Sequence, residues 1–379
     1  MKVNTQLRQE SIKKVLFEIR KSGPISKREL QTATGFSWGN ISSITTRLMN
    51  EKYIMASGKQ ETYVGRKPEE FDININDNYI IGIDFNSEGV LLVVCDLKGR
   101  VVSRYDFKFL QKDKDYAVSN LFDLVEKAIS QNKSKNISYI AVAMQGEVDT
   151  ENGISVKISG IKDWKNIPVC KLLKERFGIE TVMLHDPDCL LYTEKNLAYL
   201  CDKSVNNAIL LRIDHGIGIA VMLGGNMYMG NKSKTCEIDK TVVPQKGGGW
   251  SLVRNLVSDK SVENIYFKDT NDRKSCSEIA DLAHNGDEKA KEIFENLGTA
   301  LAFALNNASG LLNPETVILF GDFVKYSPLF LSSTENLLKQ LLGDECPEIV
   351  LSTLNNDAAA VGATLFATDK FIEKLKFID

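Results

Sequence analysis

The sequence predicts a mixed α/β protein built from a small helical head and a two-lobed α/β body. Three observations predict it. Residues 12–50 carry three helical patterns separated by glycine-containing turns, and a hairpin pattern follows them. From residue 79 a run of three short apolar strands leads to a helix and a further strand, and a similar succession begins again at residue 207. The formal charge of −3 is also unevenly shared: residues 1–70 hold thirteen Lys and Arg against seven Asp and Glu, the remainder 34 against 43.

A basic head on an acidic body points to a polyanion met by the head alone. A length of 379 residues allows two or three domains, and 43% hydrophobic with 26% charged residues is ordinary for a globular chain. The seven cysteines (Cys95, Cys170, Cys189, Cys201, Cys236, Cys276 and Cys346) are odd in number and never form C-x-x-C. Neither a zinc ribbon nor a disulfide framework is indicated, and reduced thiols are the preferred reading. No apolar run approaches the ~20 residues of a membrane span. Met1-Lys2-Val3-Asn4-Thr5-Gln6 lacks the apolar core of a signal peptide, so a cytoplasmic location is expected.

In the head, Ile12, Val15, Leu16 and Ile19 mark one face of a first helix, which Gly23-Pro24 ends. Ser26 and Glu29 form a capping box for a short second helix with Leu30 and Ala33 inward, closed at Gly35. Ser37 caps a third helix whose inward stripe is Ile41, Ile44 and Leu48. Two helices joined by a tight turn behind a leading helix give a helix-turn-helix. The third helix would read DNA through Ser37, Asn40, Ser42, Ser43 and Arg47, side chains suited to base edges and phosphates. Trp38 has two readings, packing on the neighbouring helix or touching DNA. Residues 53–56 and 61–64 flank Ser57-Gly58-Lys59 as a hairpin, a wing ending in Gly65-Arg66-Lys67-Pro68. Arg66 and Lys67 there are expected at DNA, with Arg66 suited to a narrow minor groove.

The domain expectation is a winged helix-turn-helix over 1–70, a connector over 71–78, a first lobe over 79–185 completed by a helix within 355–379, and a second lobe over 186–354. Strands are expected at 79–84, 89–94, 99–103 and 137–144, with a helix over 116–130. The second lobe repeats this with strands at 208–214, 218–223, 226–229 and 316–320, and a helix near 287–311. Asp84 and Asp214 correspond, each ending a first strand.

The chain resembles the ROK family (repressors, open reading frames, sugar kinases), in particular its xylose-repressor-like members, over essentially its full length. The carriers are residues 25–30, Gly65-Arg66-Lys67-Pro68, Gly146-Glu147-Val148-Asp149, Gly216-Ile217-Gly218, Leu312-Asn313-Pro314-Glu315 and residues 357–362. The resemblance implies an actin/hexokinase-like pair of lobes, the helix near 355–368 packing on the first. It also implies a DNA-binding repressor, a homodimer or dimer of dimers on a palindromic operator, with a sugar effector in the cleft.

Kinases of the family hold ATP phosphates with glycine-rich turns, because phosphate must approach backbone amides closely. The turn Asp-x-Gly-Gly-Thr is here Asp84-Phe85-Asn86-Ser87-Glu88, and Gly-Thr-Gly-Ile-Gly is Asp214-His215-Gly216-Ile217-Gly218. The later paired glycine is Gly321-Asp322. Asp186 matches the family's general base, but a base without a phosphoryl donor does no chemistry. No kinase activity and no cofactor are therefore expected. Relatives that hold zinc use a histidine and three cysteines. Here the segment is Cys236-Glu237-Ile238-Asp239-Lys240, followed by no cysteine over 242–254, so no zinc is expected. The resemblance places effector binding at Gly146, His185, Asp186, Glu237 and Lys240, where His185 and Lys240 replace a neutral Asn and a His. Either the pocket has drifted and binds nothing, or it selects an acidic sugar derivative. Trp164 and Trp250 are candidates to stack on a sugar face or to fill the core.

Overall fold

The computed structural model describes residues 2–57, 69–214, 216–231, 237–245 and 248–377. Its internal contacts divide the chain into two units, residues 1–196 with 357–379, and residues 197–356.

The first unit opens with α1 (Lys2–Ser22), whose stripe Ile12, Val15, Leu16 and Ile19 is buried as the spacing predicts. After β1 (Ile25–Ser26), the capping box forms at α2 (Lys27–Thr34): Ser26 Oγ accepts from the Glu29 amide at 3.3 Å, and Glu29 Oε2 accepts from the Ser26 amide at 2.8 Å. Hydrogen bonds from the Ser26 side chain and then its backbone hold the Glu29 carboxyl below its ordinary range. Gly35 ends the helix in the left-handed region at φ 74°, a conformation that favours glycine. Leu30 is buried but Ala33 is exposed, contrary to expectation. Thr34 takes the inner place, one full turn after Leu30, whose carbonyl its hydroxyl bonds at 2.6 Å. In α3 (Trp38–Asn50), capped by Ser37, Ile41, Ile44 and Leu48 are buried.

β2 (Ile54–Ser57) pairs antiparallel with β3 (Glu70–Ile73), while residues 61–64, expected as the second strand of the hairpin, lie outside the described residues. β1 pairs with the other edge of β3, setting Ile25 opposite Phe71. Phe71 and Ile73 alternate inward and are buried, so part of the expected connector over 71–78 is core strand.

The body of this unit starts with the meander β4 (Asn78–Asn86), β5 (Gly89–Asp96) and β6 (Val101–Lys108), followed by α4 (Lys114–Gln131) and β7 (Asn136–Met144). A small sheet of β8 (Glu147–Asp149), β9 (Ile154–Lys157) and β10 (Lys165–Ile167) precedes α5 (Val169–Phe177), β11 (Glu180–His185) and α6 (Asp186–Leu197). The main sheet runs β11-β7-β4-β5-β6, with β7 parallel to both β11 and β4 and the meander antiparallel. Side chains of α4 and α5 share one hydrophobic core with this sheet.

The second unit repeats the plan with β12 (Ala208–Ile213), β13 (Ile217–Leu223) and β14 (Asn226–Met227). A hairpin of β15 (Val242–Pro244) and β16 (Trp250–Leu252) leads to α7 (Asp259–Thr270), α8 (Cys276–His284) and α9 (Glu288–Leu312). Then come β17 (Thr316–Phe320), α10 (Ser327–Leu342) and β18 (Glu348–Leu351). The sheet order β18-β17-β12-β13-β14, with β17 parallel to β18 and β12, mirrors the first sheet strand for strand. The duplicated pattern is thus a duplicated topology. Finally α11 (Ala358–Lys374) returns to the first unit and packs on the free face of its sheet, where Val93 and Cys95 meet Ala360, Val361 and Leu365. The expected boundary at 185/186 moves to 196/197, because α6 packs with α11. Residues 1–70 belong to the same compact unit as the first lobe.

Candidate functional site

The reading helix turns a polar face outward. Ser37, Trp38, Asn40 and Ser43 are exposed, Ser42 is half-buried, and Trp38 is 55% exposed at the helix start. Of the two readings of Trp38, burial against the neighbouring helix does not hold. The exposed face also includes Gly39 and Thr46, which the expected set Ser37, Asn40, Ser42, Ser43 and Arg47 passed over. A small rotation about the helix axis explains it: residues 39, 43 and 46 lie along the outer line opposite Ile41, Ile44 and Leu48. Arg47 is half-buried and pairs with Glu51 at 2.8 Å. Arg66 and Lys67 lie outside the described residues.

The expected effector residues fall on both units. In the first, β11 ends at His185 and α6 begins at Asp186, so strand end and helix start place the two side by side, His185 Nε2 3.4 Å from Asp186 Oδ1. Gly146 adopts φ 88°, and a Cβ there would meet the Lys157 carbonyl oxygen at 2.3 Å, which by itself requires glycine. In the second unit Glu237 and Lys240 are exposed and pair at 3.2 Å. Trp164 is core: its Nε1 donates to Ser155 Oγ at 2.8 Å and its ring lies 5.0 Å from that of Phe85. Trp250 is 70% exposed.

Sequence reasoning missed Asp188, in the first turn of α6. It is 1% exposed, and neither carboxylate oxygen has a hydrogen-bond partner among the described residues. Burial, and then the charge of Asp186, push its carboxyl up to about 8. No residue pattern announces this, because it follows from α6 being covered along most of its length.

The first phosphate-type turn is closed from within. In the β4–β5 turn the amides of Glu88 and Gly89 donate to Asn86 Oδ1 at 2.9 and 3.1 Å, and the Ser87 amide donates to Gln145 Oε1 at 2.8 Å. In the second unit Asp214 accepts from the Asp322 amide at 2.7 Å and pairs with Arg212 at 2.8 Å. A Cβ on Gly321 would meet the Ile213 carbonyl oxygen at 2.4 Å and Asp214 Oδ1 at 2.5 Å. In the β4–β5 turn the amides of Ser87, Glu88 and Gly89, which such a turn would offer to phosphate, are committed to side chains of this chain, and so is the Asp322 amide of the later turn. His215 and Cys236 lie outside the described residues. Among the described residues no group of three or more His, Cys, Asp and Glu is placed to hold a metal ion, and no helix is long and apolar enough to cross a membrane.

Comparison with known proteins bears on both halves. The ROK family profile matches residues 80–370. A xylose repressor of Bacillus spizizenii is 24% identical over 379 residues, covering 96% of each chain. Among solved structures, a ROK family transcriptional regulator described as a homologue of the E. coli MLC protein superposes with a TM-score of 0.79. It has 20% identity and covers 97% of this chain and 96% of its own. A ROK hexokinase from Thermus thermophilus gives 0.65 at 20% identity, over 76% of this chain and 97% of its own. The full-length match includes the head, while the kinase match spans three quarters of the chain.

Proposed function

The chain belongs to the ROK family, and from that premise we propose that it is a cytoplasmic DNA-binding repressor of carbohydrate-metabolism genes without kinase activity. The observation that carries the DNA reading is the outward polar face of α3, opened by an exposed tryptophan and supported by a capped turn. Ser37, Trp38, Asn40, Ser42 and Ser43 on that helix, with Arg66 and Lys67 of the wing, are the contacts proposed to double-stranded DNA. The repressor relative of matching length supports it. Absence of kinase activity is supported by the committed amides of the β4–β5 turn and of Asp322, since a triphosphate at those positions would have to displace Asn86, Gln145 and Asp214.

A sugar-class effector is proposed at Gly146, His185 and Asp186, with Glu237 and Lys240 contributing to its affinity. One observation favours a second reading: Lys240 already neutralises Glu237, as in a pocket that takes no ligand. A homodimer on a palindromic operator completes the proposal, since two-fold proteins read two-fold sites. The test is recovery of bound fragments from genomic DNA by the full chain, with affinity measured against salt. Selective, strongly salt-dependent binding that Trp38→Ala and Asn40→Ala weaken supports the reading. Binding indifferent to both variants refutes it. An ATP-coupled assay with neutral hexoses and pentoses should show no turnover. A thermal-shift screen with neutral sugars, sugar acids and sugar phosphates separates the two effector readings.

A further inference from the structure

The reading helix is held from outside the head. After α11 the chain continues through Leu375 and Lys376 to Phe377, whose side chain is 2% exposed. The Phe377 ring meets Tyr53, just before β2, edge-on at 5.6 Å, and its carbonyl oxygen accepts from Gln9 Nε2 of α1 at 3.4 Å. The Arg47 guanidinium of α3 lies 5.6 Å from the centre of the same ring while it pairs with Glu51. Its side chain is only 18% exposed. Phe371 of α11 reaches Tyr53 as well, at 6.4 Å. Phe371 and Phe377 therefore reach Tyr53, and Phe377 wedges between Tyr53, α1 and α3, buried against the head.

The wedge is anchored at its other end. Arg20 of α1 pairs with Asp369 of α11 at 3.1 Å and donates to the Leu365 carbonyl at 3.1 Å and to Asn196 Oδ1 at 3.2 Å. α11 itself has no freedom to slide. A Cβ on Gly82 of β4 would meet the Ala360 carbonyl oxygen at 2.2 Å, and one on Gly362 would meet that of Cys189 in α6 at 1.8 Å. Backbone contacts this close leave one register for α11. Moving Arg47 out to a phosphate would break both its ion pair and its ring contact, whereas leaving it in place keeps α3 tied to that register.

We propose that the C-terminal residues are the positioning element of the reading helix: Phe377, gripped by Arg47 and Tyr53, sets the angle of α3 on the body, and Arg47 positions rather than contacts phosphate. The inference rests on the DNA-binding reading above. Removing a phosphate contact lowers the slope of affinity against salt by about one, whereas removing a positioning residue lowers affinity and leaves the slope alone.

The test uses the full chain and a duplex that the parent protein selects from a random pool, titrated from about 50 to 300 mM salt. Arg47→Met and Phe377→Ala should each weaken binding about tenfold at unchanged slope, and the double variant should be no weaker than the worse single. Hydrogen exchange without DNA should quicken over residues 41–50 in Phe377→Ala while the amides of α2 keep their rates. Phe377→Leu serves if the alanine variant does not fold. A slope reduced by one in Arg47→Met overturns the proposal, as does unchanged exchange in α3. Should the parent protein select no duplex, the DNA-binding reading fails, and the exchange result alone decides whether the C-terminus holds the helix.

Discussion

Replacing Asp188 by asparagine should stabilise the protein, by an amount that grows with pH. In the unfolded chain this carboxyl ionises at its ordinary value of 3.8, whereas in the fold burial and the charge of Asp186 keep it neutral up to about 8. The folded state thus binds a proton that the unfolded state has given up throughout that interval. Stability contributed at this position is intact below pH 4, falls as pH rises, and stops changing above pH 8. At pH 7 the accumulated cost is about 4 kcal/mol, at ~1.4 kcal/mol for each tenfold displacement of the proton equilibrium. Asparagine removes that cost but buries one more N–H in a site without partners, which returns about 1–2 kcal/mol. The net gain expected is about 2–3 kcal/mol at pH 7 and none, or a small loss, at pH 4. Urea unfolding followed between pH 4 and 8.5 with a probe in the first unit measures it. A variant whose deficit or gain is the same at every pH would refute the reasoning, because a neutral buried acid is the only source invoked for the slope.

Other substitutions test the remaining links. Gly362→Ala should cost about 3 kcal/mol, read as a lowered melting temperature, since the added carbon meets the Cys189 carbonyl and both partners are backbone. Ser26→Ala should cost about 1 kcal/mol and speed amide exchange at the start of α2, and an unchanged exchange rate would make the capping box idle. Trp38→Ala should leave stability within about 0.5 kcal/mol while weakening the selected duplex by ~1–3 kcal/mol. A loss of stability at equal DNA affinity would make Trp38 a packing residue after all.

Features that depend on near neighbours were legible in the amino-acid order. The capping box at Ser26 and Glu29, the left-handed stop at Gly35, the inward stripes of α1 and α3 and the strand meanders are all set within a few residues. The altered turns at Asp84 and Asp214 and the basic head were legible for the same reason, as residue types at known spacings. The tertiary structure alone decided what depends on residues far apart in the chain. β3 pairs with β2 on one edge and with β1 on the other, setting Phe71 opposite Ile25, a long-range pairing no short-hairpin rule contains. Arg47 carries the side chain of a phosphate ligand, yet a phenylalanine 330 positions later occupies it. The Ser87 amide is bound by Gln145, and the Asp188 carboxyl is pushed up to about 8 because the fold buries it beside Asp186. Local patterns follow from backbone geometry and fix which elements form, whereas burial and the choice of partner arise only when distant segments share the same space.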